Sequence, residues 1–324
     1  MKITSTKAKL LAGLLSLCMV LSLVPFSVFA AAPATEIAYF TAPSAATETA
    51  DFTVGRGEAA IKLLNQYKTG TADSLWYYET KTLELWGIDF TTTAQTAVKL
   101  PAGSTIVLKD GTSNTIQSGD VTLEVSDSRN HTFINALDAA GSLTIQGGTA
   151  GTGSLSIYAG TLKNKGDGWF YSSGMAVNGD LTVKGGRVTV RGGSVESDGT
   201  CFSIGVNMDS DSIKNKTLQV TGGTLTAIAD KAYELEEGGT KREVFSRGVY
   251  MYQGNVIVSG DGKLRAESVK EMAEATLLSN GLYISMGSLT VANSAEVAVA
   301  GGYGAYISGG SIQLSGGTLT AIST

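Results

Sequence analysis

A short unit recurs along this chain: a glycine, a run of alternating apolar and polar residues, a Gly-Gly pair, and a second alternating run. It reads Gly179-Asp180-Leu181-Thr182-Val183-Lys184-Gly185-Gly186-Arg187-Val188-Thr189-Val190, then Thr217-Leu218-Gln219-Val220-Thr221-Gly222-Gly223-Thr224-Leu225-Thr226-Ala227, and again from Gly310 to Ala321. Looser copies begin at Gly141, Gly254 and Gly287. Period-two alternation describes half-buried strands, and self-similarity of this length describes a repeat architecture. A third piece, Gly-x-x-apolar, precedes each pair of runs: Gly174-Met175-Ala176-Val177, Gly205-Val206-Asn207-Met208, Gly248-Val249-Tyr250-Met251, Gly281-Leu282-Tyr283-Ile284 and Gly304-Ala305-Tyr306-Ile307. The spacing between these starts varies, which suits a constant core with insertions at its corners rather than a strict-period repeat.

Three strands per unit, stacked unit on unit, predict an all-β solenoid in which each strand pairs with its equivalents above and below. Alternation then turns Val249, Met251, Leu282, Ile284, Leu181 and Val183 inward, and Tyr250, Tyr283 and Thr182 outward. A one-residue slip would invert the core, so the register is strongly specified. The 41 Gly and only 4 Pro fit many short strands joined by tight turns.

The N-terminus follows different rules. Lys2, Lys7 and Lys9 precede an apolar run from Leu10 to Val24, and Val28-Phe29-Ala30 supplies small residues at a cleavage position. Residues 1–30 therefore predict a secretory signal peptide; a membrane anchor is the competing reading, with an apolar run at the short end for spanning. Residues 31–50, rich in Ala, Thr and Pro, read as a linker. Residues 51–74 form an N-terminal capping segment in which residues 57–68 spell a short amphipathic helix. Its face carries Ala60, Leu63, Leu64 and Tyr67, and its expected role is to cover the open end of the array. Residues 75–324 hold the repeat. No cap follows the last unit, which predicts either a truncated chain or an end buried against a further C-terminal domain or subunit.

Charge narrows the partners. Cleavage after Ala30 removes three Lys and no acid, so a net charge of −5 becomes −8, which argues against nucleic acid. Cys201 then stands alone, leaving no internal disulfide, and the one His, His131, excludes a multi-histidine metal site.

The Trp76-Tyr77-Tyr78 entry with Leu83-Glu84-Leu85, the Leu100-Pro101-Ala102-Gly103-Ser104-Thr105-Ile106-Val107-Leu108 segment and the Gly-x-Leu-Thr-Val-x-Gly-Gly units together carry a family likeness. Over roughly residues 75–324 the chain resembles the right-handed parallel β-helix of the pectate-lyase-like superfamily. More narrowly, it is similar to secreted carbohydrate-binding β-helix proteins of anaerobic Gram-positive bacteria. That resemblance implies a fold; function on such a scaffold varies among lyases, hydrolases, adhesins and inert stalks.

Candidate chemistry lies on the outer face. Tyr250, Tyr283 and Tyr306 hold one position in consecutive units, Tyr252 lies two residues on, and Asn207 and Asp209 extend the row. Exposed aromatics beside Asn, Asp and Ser suit sugar rings, while the competing reading is a ladder that only stabilises adjacent strands. Trp169, in a predicted corner insertion from Lys163 to Ser173, would wall that face or lid a core gap. Further insertions span Asp230–Arg247 and Lys270–Asn280. Asn207, Asp209 and Asp211 offer a partial oxygen shell toward calcium, with a solvated turn as the alternative. Asp127, Arg129 and His131 fall on one polar strand face, and no paired-carboxylate site is visible, so catalysis has the least support. The expected function is non-catalytic binding of a polysaccharide or surface glycan by a secreted or cell-surface protein. A structural stalk or adhesin module is the alternative, and a calcium-dependent polysaccharide lyase the third reading.

Overall fold

The computed structural model describes residues 38–40, 56–123, 131–166, 168–209, 215–233, 244–269 and 277–323, all within the unit Ala34–Thr324. The signal-peptide segment, most of the linker, Asp127, Arg129 and Asp211 lie outside the described residues.

The alternating runs form strands that pair in parallel with the corresponding run one repeat away. One stack contains Thr96–Leu100, Thr132–Ala139, Trp169–Val177, Thr200–Asn207 and the opening halves of Val244–Val258 and Leu277–Gly301, ending on Tyr303–Ile307. A second stack runs from Thr82–Leu85 through Ser104–Leu108, Leu143–Gly147, Leu181–Val183 and Lys216–Val220. A third runs from Asp89–Thr91 through Ser113–Gln117, Ser154–Tyr158, Arg187–Arg191, Thr224–Ile228 and Lys263–Glu267. The chain visits the three stacks in turn, so it forms one large sheet of mostly parallel strands with little helix, compatible with a β-helix. Backbone polar groups are satisfied along the stacking direction, coil to coil.

Three strands per repeat is an undercount where the corners are long. Val121–Leu123, Leu162–Asn164, Val195–Ser197 and Ala232–Tyr233 pair into a separate four-stranded parallel sheet. The first-stack strands also begin earlier than the sequence pattern suggests. Trp169, Phe170 and Tyr171 belong to a strand, not to a corner insertion, as do Phe245, Arg247 and Asn280.

Both corrections share one cause, a column of glycines at which each long strand turns inward. A Cβ on Gly174 would lie 2.6 Å from Val190 Cγ1 and 2.7 Å from the Arg191 carbonyl oxygen, both on the opposite stack. At Gly205 it would meet the Gly248 carbonyl oxygen at 2.5 Å and the Ile228 nitrogen at 2.7 Å. At Gly174 and Gly205 the backbone comes too close to its neighbours to leave room for a Cβ, whereas in Thr132–Ala139 the same place is held by the buried Ala136. The coil section is thereby pinched into two lobes. The main core holds Val249, Met251, Leu282, Ile284, Leu181 and Val183, all fully buried on the inward positions that alternation predicts. A small second core holds Ile134, Leu162, Phe170, Val195, Cys201, Ala232 and Val244.

Two residues before the glycine, a serine column lines the pinch on the inner side. Ser172 Oγ donates to the Gly160 carbonyl at 2.7 Å and accepts from the Gly193 amide at 3.1 Å. Ser203 accepts from the Asp230 amide, and Ser246 donates to the Asp230 carbonyl. Ser279 donates to the Val269 carbonyl and accepts from the Gly302 amide. These hydroxyls satisfy corner backbone groups that have no ladder partner.

At the N-terminal end the helix is Arg56–Asn65, shorter than predicted and followed by a turn. Ala60 and Leu64 are buried in the main core, with Ile61, Leu63 and Tyr67 packed against it. Tyr67 meets Phe90 edge-on at 5.2 Å, and Phe40 meets Trp76 at 5.0 Å. Among the described residues no helix is long and apolar enough to cross a membrane.

Candidate functional site

The inward turn at the glycines makes the outer face of the first stack carry three side-chain columns that converge. Three residues before the glycine stands Phe133, Tyr171, Phe202 and Phe245 in register. Directly before it stand Asn135, Ser173, Ile204, Arg247, Asn280 and Tyr303. Two residues after it come Lys99, Asp138, Ala176, Asn207, Tyr250, Tyr283 and Tyr306.

The first column is a continuous aromatic stack. Ring centroids are 4.7 Å apart for Phe133–Tyr171, 4.3 Å for Tyr171–Phe202 and 4.6 Å for Phe202–Phe245, with planes within 12° of parallel. This matches the roughly 4.7–4.9 Å strand spacing, so the rings stack because the coils do. Their faces are occupied by one another, and their edges point away from the sheet.

Where the third column carries small and polar residues, an open groove of about 420 Å³ lies between the columns. Phe133, Tyr171 and Trp169 with His131 form one wall; Asp138, Ala176, Asn178, Asn207 and Asp209 form the other; Asn135 lies between. Ala176 creates the space, because its neighbours in the column are Asp138 and Asn207 on either side. Trp169 is half exposed, tilted against Phe202 and edge-on to His131 at 5.5 Å, so part of its indole face is open. The Asn135 side-chain oxygen is shielded from solvent and has no hydrogen-bond partner. Asn207 Oδ1 accepts from the Asp209 amide at 2.9 Å, which turns its Nδ2 toward Ser173 Oγ at 3.4 Å. Burial pushes the Asp138 carboxyl above its usual value, against the opposing pull of Lys99. The Lys99 ammonium itself lies 5.1 Å over the Tyr39 ring.

One coil further on, the groove is filled. Arg247 is buried, with its guanidinium 4.4 Å from the Phe245 centroid, 4.3 Å from Tyr250 and 3.9 Å from Tyr283. A hydrogen bond joins it to Tyr250, whereas its Nε has no partner. Burial lowers the guanidinium pKa, and burial together with the Asp209 charge raises that of Tyr250. Cation–π contact of this desolvated kind is the strong variety.

The predicted site residues thus separate into two groups. Trp169, Asn207 and Asp209 line the groove. Tyr250, Tyr283 and Tyr306 do share one column, in register with Asn207, but lie beyond the groove. Tyr250, expected to face outward in the open, is only 9% exposed because Arg247 packs against it. Tyr283 and Tyr306 stack at 5.1 Å with planes 8° apart, and Tyr252 is exposed on the surface beside them. Of the proposed calcium shell, Asp209 is in the groove wall and Asp211 is outside the described residues; no group of three or more His, Cys, Asp or Glu able to hold a metal occurs among those described.

Sequence reasoning missed Asp138, Asn135 and the Phe133–Phe245 stack. A signal was present. Ala136-Leu137-Asp138-Ala139 is a copy of Gly174-Met175-Ala176-Val177 with alanine in place of glycine, and aromatics sit three residues before that position in four successive repeats. The comparisons add nothing to this geometry: the chain matches no family model, no curated protein and no solved structure.

Proposed function

We propose that this protein is a secreted or cell-surface right-handed parallel β-helix, of the pectate-lyase-like kind, that binds polysaccharide or another surface glycan without turning it over. The groove is the binding site. The observation that carries this reading is the pairing, across about 420 Å³, of an aromatic wall with a row of carboxylate and carboxamide groups. Pockets of this size in which polar groups converge beside aromatic side chains suit small or chain-like ligands. Sugars need flat apolar contact on one side and hydrogen bonds on the other. The unpartnered Asn135 oxygen supports a ligand with hydroxyl donors, since a shielded acceptor left unmet is costly.

Pull-down on insoluble polysaccharides and calorimetry with soluble oligosaccharides test this. Trp169→Ala and Asn207→Ala should each weaken binding at least about tenfold, roughly 1.4 kcal/mol, with no loss of thermal stability for the exposed Trp169. Full retention of binding by both variants would refute the groove as the site.

A structural stalk or adhesin module is the second reading, favoured by the mutual stacking that occupies the ring faces of the aromatic column. It predicts no glycan binding at all and a large stability loss on Phe202→Ala. Tyr283→Ala with Tyr306→Ala separates the roles of the two ladders: unchanged binding assigns recognition to the groove alone.

A further inference from the structure

We infer that the groove selects amino sugars, with the Asp138 carboxylate receiving a ligand ammonium group. This rests on the glycan-binding reading above and adds the chemical class of the sugar.

The groove lining contains two carboxylates, Asp138 and Asp209, three carboxamides, and no lysine or arginine. His131 is the one lining residue with a titratable nitrogen. An acidic glycan would bring its own carboxylates against Asp138 and Asp209 with no lysine or arginine in the lining to offset the repulsion and only neutral carboxamides and His131 to receive them. A ligand cation meets the reverse. Two protein cations flank the groove, one at each end, and neither occupies it. Lys99 is adjacent to Asp138 in register, and its ammonium is held over Tyr39. Arg247 is enclosed by Phe245, Tyr250 and Tyr283 one coil past Asn207. Asp138 is set apart by its burial, and its neighbour Lys99 is turned onto Tyr39, so Asp138 is the carboxylate that a ligand ammonium would meet.

Burial outweighs Lys99 at Asp138, so this carboxylate carries desolvation that a ligand ammonium would offset. The open part of the Trp169 indole face favours the same charge, because ring faces attract cations. The open indole of Trp169 and the Asn135 oxygen remain for the sugar ring and its hydroxyls. A basic peptide carries ammonium groups too, but its usual route onto a sheet is edge pairing. That route is closed here: Trp169–Val177 is already paired on both sides.

Calorimetry on the full chain just below neutral pH tests this with four length-matched probes: glucosamine oligomers, N-acetylglucosamine oligomers, galacturonate oligomers and oligolysine. Glucosamine oligomers should bind at least about tenfold tighter than the N-acetylated ones, with affinity falling as salt rises. Asp138→Asn should erase that preference by weakening the glucosamine oligomers far more than the N-acetylated ones, and should melt no lower than the parent chain. Equal or tighter binding of the N-acetylated or galacturonate oligomers would overturn the amino-sugar assignment and leave glycan binding standing. Binding of oligolysine as tight as glucosamine oligomers would overturn it in favour of a basic peptide. If neither these oligosaccharides nor any polysaccharide in the pull-down binds, the glycan reading falls as well.

Discussion

Gly205→Ala probes the pinch that creates the groove. The added methyl group would sit 2.5 Å from the Gly248 carbonyl oxygen, 2.7 Å from the Ile228 nitrogen and 3.0 Å from the Ala227 carbonyl carbon. All three are backbone atoms in paired strands, so no side-chain rotation relieves the contact. Overpacking of this kind costs about 1–3 kcal/mol, and the lower chain entropy of alanine returns only about 0.4–1 kcal/mol. Relief requires the Thr200–Asn207 strand to shift against both the next strand of its own stack, which carries Gly248, and the opposite stack, which carries Ala227 and Ile228, and so displaces Asn207 in the groove wall. Thermal melting monitored by circular dichroism should show a fall of several degrees, since each kcal/mol is worth about 2–4 °C in a body of some 150–250 residues and somewhat less in a larger one. Gly70→Ala is the matched control: it is exposed, with nothing within 4 Å of the new Cβ. It should melt at or slightly above the parent temperature. Coincident melting of the two variants would refute the claim that strand contact at the glycine column shapes the coil.

Other outcomes follow from neighbouring features. Ser172→Ala leaves the buried Gly160 carbonyl and Gly193 amide without that hydroxyl, and should cost about 1–3 kcal/mol in urea unfolding. Arg247→Met keeps the aromatic box filled without a buried charge and should be within about 1 kcal/mol of the parent or more stable, whereas Arg247→Ala should lose about 2–4 kcal/mol; equal losses would mean that the charge itself is required. Because burial raises the folded-state pKa of Asp138, its contribution to stability is fully present below the ordinary carboxylate pKa of 3.8 and is lost as pH rises through the raised value. Asp138→Asn should therefore flatten the stability–pH curve in that window, as read from urea midpoints. Asp110 is opposite in sign: amide hydrogen bonds from Ala150 and Thr152 lower its pKa, so its contribution is present above 3.8 and lost as pH falls below it, and Asp110→Asn should abolish that loss.

Much of this body was legible because period-two alternation is enforced by burial. Val249, Met251, Leu282 and Ile284 could not face outward without exposing the core, so the sequence states their direction. Register was equally legible: Asn207, Tyr250, Tyr283 and Tyr306 do share a column, since each follows its glycine by two residues. The groove was not, because it depends on where strands bend rather than on how they alternate. Gly174 reads in sequence as the start of a strand, yet it lies inside one. Placing the strand start there hid Tyr171 and Phe245 in supposed corners and made Tyr250 look open. Exposure of Tyr250 is decided by Arg247, and a cation boxed by three rings has no one-dimensional signature. Asp138 was hidden for a smaller reason, the alanine at position 136.

The two-lobed section also bears on how such a body tolerates change. Between Gly281 and Gly304 the strand Leu277–Gly301 passes to Tyr303–Ile307 through Gly302 alone, so that coil has the main lobe and no small one. Its inward residues Leu282, Ile284, Leu289, Val291, Val297 and Val299 remain fully packed nonetheless. The small lobe is thus an optional attachment, hinged at a seam where the backbone already closes on itself. Whole peptides should be insertable or removable there without disturbing the main core, which makes position 302 a natural graft point for a foreign loop displayed on a rigid support.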